Sequence, residues 1–197
     1  ISPDRSSYLE WDPANGRVNH YVNSVLVGYM STTGLTLSSG LGLVRTAQKR
    51  LINGYAKVGA TSGWVVNAAT NVGRLATIPA SQTASTLVVP IPALKVGDTI
   101  TAFHLVGQIE SAGGTVTVDA ALRKMTAAAA DIVDASVGAI TQLSVTADTI
   151  MSAANTEKSA LTEVVGADEM FYVLITATTG ALTDIDLMGV AVTVTES

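Results

Sequence analysis

The chain of 197 residues contains no cysteine. That removes disulfide scaffolds, thiol nucleophiles and thiolate metal sites together, and leaves the redox compartment open. Histidine is scarce too: His20 and His104 lie far apart and form no ligand-spaced pair. Charged residues make up 14% and aromatics 5% of the chain, against about a quarter charged in an average protein. The hydrophobic fraction of 48% excludes disorder, which needs the opposite balance. A net charge of -5 and a pI near 4.8 speak against nucleic acid as a partner. A folded chain with so few charges is expected to have much of its surface covered by other protein.

Membrane and export signals are missing as well. The long uncharged runs, Val18 to Val44 and Leu75 to Leu94, are punctuated by Asn, Ser, Thr, Gly and Pro, so neither is expected to span a bilayer. Ile1 to Arg5 has no apolar signal-peptide core, and no Asn-X-Ser/Thr sequon occurs. The expectation is a soluble protein that folds without metal or disulfide, since its length suffices for a core.

What the chain does have is a sharp division of charge. Residues 1–97 carry 8 Lys/Arg and 3 Asp/Glu, whereas residues 98–197 carry 3 and 13. Between Pro13 and Gly97 there is no carboxylate at all, while Arg17, Arg45, Lys49, Arg50, Lys57, Arg74 and Lys95 are present. Two readings stand. The split is compositional drift within one fold, or the first half lies on an acidic surface of a partner or neighbouring copy. On the second reading Arg17, Arg45, Lys49, Arg50, Lys57 and Arg74 are the candidate contacts with that partner. Sparse cations with few aromatics between them do not suit nucleic acid.

Period-2 alternation dominates the pattern. Thr115 to Leu122 alternates cleanly, placing Val116, Val118, Ala120 and Leu122 on one face. With the strand-like run before it, this predicts a hairpin of Thr99–Glu110 and Thr115–Lys124 turned at Gly113-Gly114. Phe171 to Thr178 and Asp184 to Thr195 predict a second hairpin. In its return strand Ile185 and Leu187 share one parity and Val190, Val192 and Val194 the other, so a bulge is predicted at Met188-Gly189. Further strands are expected at Ser85–Ile91 and Ala139–Ala147, while Ala153–Val165 reads as either a short helix or a loop and strand. Residues 76–197 thus predict an all-β, antiparallel β-sandwich domain. Residues 1–75 predict an N-terminal arm or small subdomain with a tight turn at Asn15-Gly16 and strand-like character from Val18 to Met30. Within it, Gly42 to Gly59 is the best helix candidate, through Leu43, Ala47, Leu51 and Tyr55, although Asn53-Gly54 inside it reads as a point where the helix ends or a hairpin replaces it.

Motifs that carry chemistry are missing. There is no G-x-x-x-x-G-K-[ST], no H-E-x-x-H and no G-x-S-x-G. His104 sits mid-strand, where a structural role outweighs that of a base. Asp184 and Asp186 share a sheet face and are expected to face water rather than bind Ca²⁺. Asp168-Glu169 reads as a solvated loop end. No catalytic residue, cofactor or metal is expected, and the chain is read as a non-enzyme.

Three segments carry a resemblance: Val96-Gly97-Asp98-Thr99-Ile100, Gly107 through Gly114, and Tyr172 through Thr179. They resemble small β-sandwich (jelly-roll) structural proteins of tailed-bacteriophage particles, such as head decoration, cement and fibre proteins. The resemblance covers about half the chain and supplies texture rather than a motif. It implies a virion structural protein, commonly a homotrimer, that caps or staples the lattice formed by the major capsid protein or another virion protein. Its implied location is the capsid surface, after assembly in the host cytoplasm. The alternative is a receptor- or glycan-binding module of a head or tail fibre, although the sandwich half holds only Phe103, Phe171 and Tyr172 as aromatics.

Overall fold

The computed structural model describes residues 7–22, 25–31, 34–37, 47–52, 56–59, 62–66, 73–128 and 130–197. The chain divides into two compact units, residues 1–45 and 46–197. The first is a four-stranded antiparallel meander of β1 (Ser7–Asp12), β2 (Arg17–Val22), β3 (Val25–Ser31) and β4 (Gly34–Leu37). Its first turn is the one expected at Asn15-Gly16, with Gly16 at φ +60° and Asp12 accepting from the Asn15 side chain at 2.8 Å. Val18 to Met30 proves to be two strands, β2 and β3, rather than one.

The second unit is an all-β sandwich of two antiparallel sheets. In chain order it holds β5 (Gln48–Ile52), β6 (Lys57–Val58), β7 (Val65–Val66), β8 (Ala76–Ile78), β9 (Ser85–Pro90), β10 (Thr99–Ser111), β11 (Val116–Ala127), β12 (Ile132–Ala139), β13 (Leu143–Val145), β14 (Thr149–Met151), α1 (Ala153–Thr156), β15 (Glu163–Val164), β16 (Glu169–Thr179) and β17 (Thr183–Thr195). One sheet runs β14-β10-β17-β8-β7, with β5 also on β17 and β15 on β10. The other runs β12-β11-β16-β9-β6, with β13 also on β11.

The two predicted hairpins are not hairpins. β10 pairs with β17 in one sheet while β11 pairs with β16 in the other, so each pair of consecutive strands crosses between sheets. The strands and turns are where the alternation puts them, but each turn is a corner of the sandwich. Together the four strands form one long two-stranded ribbon folded over itself. Its two corners lie side by side: Ala112 N–H donates to Leu182 O at 3.1 Å and Gly180 N–H to Thr115 O at 3.0 Å. Gly114 is required there, because a Cβ would run into the carbonyl oxygen of Ala181 on the neighbouring corner.

Folding the ribbon lets one face of every strand meet in the middle. Phe103, Leu105 and Ile109 of β10 and Ile185, Leu187, Val190, Val192 and Val194 of β17 pack against Val116, Val118, Ala120 and Leu122 of β11 and Phe171, Val173 and Ile175 of β16. Each large apolar side chain so buried contributes roughly 1.5–3 kcal/mol. The predicted bulge is present: Val106 faces Gly189 and Gly107 faces Leu187, so Met188 is the extra residue. It lets Ile185, Leu187, Val190 and Val192 all point inward although their parity changes. Of the short strands that precede the ribbon, β5 lies along Val190–Val194 of β17, β6 pairs with Leu87 and Val88 of β9, and β7 pairs with β8.

No helix occurs among the described residues of 42–59; Gln48–Ile52 and Lys57–Val58 are strands. The open flank of β17 overrides the weak helical spacing there. The expected strand at Ala139–Ala147 is displaced, since β12 precedes it and only Leu143–Val145 lies within it. Ala153–Val165 contains both alternatives: α1, capped by Ser152, and then β15. Among the described residues no helix is long and apolar enough to cross a membrane.

Candidate functional site

Residues 1–45 contain three cations and three carboxylates. The basic excess of the first half therefore resides in residues 46–97, inside the sandwich unit. There it meets the acidic second half directly. Arg50, on β5, reaches Glu196 Oε1 from Nη2 at 2.5 Å and donates to Ala93 O at 3.1 Å. Arg74, just before β8, is ion-paired with Asp186 of β17. Lys49 beside Arg50 and Lys57 on β6 are exposed. Arg17 belongs to the first unit, where it pairs with Asp12 at 3.3 Å and stacks 4.3 Å from the Tyr29 ring centre. Arg45 lies outside the described residues. The structure thus places Lys49 and Arg50 together on one strand, and engages Arg17, Arg50 and Arg74 with partners in the same chain.

The outer face of the β10–β17 pair carries the acidic residues. Asp184 stands opposite Glu110 and Asp186 opposite Gln108. Asp186 is buried, at 7% exposure, and so corrects the expectation that both aspartates face water. Asp184 is half-buried, and its Oδ1 has no hydrogen-bond partner. Burial, with Asp186 and Asp148 nearby, pushes its carboxyl above the usual range, while Arg74 opposes the shift. Glu110, Asp148 and Asp184 line an open depression of about 800 Å³ at the sandwich corner, with Gln108, Ser111 and Leu182. Asp148 Oδ1 there accepts from Ser111 N–H at 2.8 Å, and Gln108 Nε2 donates to Glu110 at 3.3 Å. Such a surface offers acceptors and negative potential to a ligand. Among the described residues no three His, Asp or Glu side chains come together as a metal site.

His104 is on the same outer face, opposite Ala191, and is nearly fully buried with Nδ1 unpartnered. Burial and, after it, the charge of Lys49 hold the imidazole below its ordinary value, against Glu157. Glu169, expected at a solvated loop end, instead accepts from Gly166 N–H at 2.7 Å and pairs with Lys124 at 3.0 Å. Lys124 also binds Glu163 at 2.6 Å, tying β11 to β15 and β16.

On the other sheet, a cluster absent from the reading of the sequence joins three strands. Asp134 of β12 accepts from Arg123 Nε at 3.0 Å and from the Tyr172 hydroxyl at 2.8 Å. This holds the Asp134 carboxyl below its usual range and the Arg123 guanidinium above its own. The signal that could have found β12 was the β-branched pair Ile132-Val133 after the alanine tract at 127–130.

No family model matches this chain, and no curated protein or solved structure matches it either. The fold defines the class: an antiparallel all-β sandwich preceded by a four-stranded sheet.

Proposed function

We propose that the chain is a structural protein of a bacteriophage particle, decorating or cementing the capsid through contacts with its own copies and with the major capsid protein or another virion protein. It acts by assembly rather than catalysis, needs no cofactor, and resides on the capsid surface after assembly in the host cytoplasm. The observation that carries this reading is where the resemblance falls. Gly107–Gly114 ends β10 and forms one corner, and Tyr172–Thr179 spans most of β16, so the phage-like segments are the central ribbon of the sandwich. The scarcity of charge supports it, because subunit contacts hide uncharged surface. Among the described candidates of the sandwich unit, Arg50 and Arg74 are ion-paired within the chain, whereas Lys49 and Lys57 are exposed and in no such pair, and these two are assigned the capsid contact.

The test is incubation of the full chain with phage particles assembled without it, followed by sedimentation. Saturable co-sedimentation at a fixed copy number per particle is expected. A chain that stays in the supernatant at every concentration overturns the reading. A second reading, a receptor- or glycan-binding fibre module, is favoured by the open depression at Asp184; specific, saturable binding on a glycan array would replace the first with it.

A further inference from the structure

β12 is an outer strand: β11 holds one flank, and no described residue pairs with the other. An edge strand in an antiparallel sheet turns about half of its backbone N–H and C=O groups away from its neighbour, where they are ready to pair. Proteins normally blunt such edges by short length, lysine, proline or a bulge. β12 has eight residues with neither lysine nor proline. Its one irregularity, at Leu122/Arg123, lies towards its far end and leaves Ile132 through Ser136 in unbroken register. Ile132 and Val133 are 61% and 52% exposed.

We propose that this edge pairs antiparallel with the same edge of a second copy, across a two-fold axis at Ala135. Charge selects a copy over a foreign strand. Residues 98–197 are strongly acidic and would favour a cationic partner, but β12 is locally neutral because its only charge, Asp134, is matched by Arg123. A neutral edge is complementary to itself. Centring on Ala135 sets Asp134 against Ser136, inside the unbroken stretch, so the two aspartates never stand directly opposite each other. The two sheets then continue as one. An isologous contact of this kind joins subunits in twos, so a trimer that carries it becomes a hexamer. The inference rests on the proposed assembly of the chain with its own copies. Its test reads the free protein, whereas the sedimentation test reads the capsid contact, so the two fail separately.

The chain is free of cysteine, so single cysteines report contacts cleanly. Directly opposed strand residues have Cα atoms about 4.5–5.5 Å apart, within disulfide reach. Under mild oxidation, full-length Ala135→Cys is expected to become a covalent dimer, while Leu182→Cys, exposed at a sandwich corner, stays uncross-linked. The double variant Ile132→Lys, Val133→Lys is expected to halve the mass in solution by light scattering, with an unchanged β-sheet circular-dichroism spectrum and a lower melting temperature, since the pairing no longer stabilises the folded chain. The proposal is overturned if Ala135→Cys cross-links no faster than Leu182→Cys. A wild-type mass that is monomeric, trimeric or indifferent to the two lysines also overturns it. A foreign strand as the true occupant would give a monomeric wild type without cross-linking.

Discussion

Arg50 and Glu196, 146 positions apart, are joined by a 2.5 Å contact between guanidinium and carboxylate. The pair ties β5 to the end of β17 and, with Arg74–Asp186, turns the division of charge along the chain into a feature of one fold. At these two positions, the acidic surface that the basic half meets is the chain's own.

Of the two pairs, Arg74–Asp186 bears more on stability because its carboxylate is buried. Arg74→Ala leaves Asp186 without its counter-charge and is expected to cost roughly 1–3 kcal/mol, below the full penalty of a deeply buried pair since Arg74 itself is partly exposed. Urea unfolding measures it; a midpoint equal to wild type would show that solvent already satisfies Asp186.

Acid should weaken the sandwich through His104. The unfolded chain takes up a proton at the ordinary imidazole value of 6.5, whereas the buried ring resists it until lower pH. Unfolded chains then bind more protons, so stability is full above 6.5, falls as pH drops below it, and levels off once the folded ring titrates. His104→Leu is expected to flatten the change in melting temperature between pH 7.5 and 5.5. A slope that survives the substitution assigns the acid sensitivity elsewhere.

Asp184 works in the opposite sense. Its carboxyl titrates above the ordinary 3.8 when folded, so the folded chain binds protons more readily and loses this stabilisation as pH rises through the folded value. Asp184→Asn is expected to raise the urea midpoint at pH 7 and to leave it nearly unchanged at pH 3. A lower midpoint at pH 7 would mean that the carboxylate gains more from its surroundings than it loses.

The close approach of β5 to the bulge depends on Gly189. A Cβ there would stand 2.5 Å from Ile52 O and 3.1 Å from Leu51 Cδ1, on the strand that pairs alongside. Gly189→Ala is expected to cost about 1–3 kcal/mol by overpacking, chiefly by loosening β5. Hydrogen exchange at Gln48–Ile52 measures it, and unaltered protection there would contradict the packing described.

The core face of the sandwich was legible in the sequence because alternation is local: Val116, Val118, Ala120 and Leu122 are buried as their parity requires. The bulge was legible for the same reason, as a slip of phase at Met188. Whether consecutive strands pair or cross between sheets was not, since Thr99–Glu110 and Thr115–Lys124 would alternate identically in a hairpin. That choice belongs to β16 and β17, far along the chain. Gly42–Gly59 misled because its helical spacing was weak, and β5 gains its strand character from pairing with Val190–Val194. The engagement of Arg74 by Asp186 and the Asp134 cluster on Arg123 and Tyr172 likewise depend on neighbours brought together only by the fold.

The central claim, that this charge-poor sandwich works by assembling with its own copies, is tested most directly by the mass of the intact chain in solution. Light scattering on a sizing column, over a hundredfold dilution, is predicted to return a discrete even multiple of the 20.2 kDa chain that persists to low concentration. A single chain mass throughout would contradict the account.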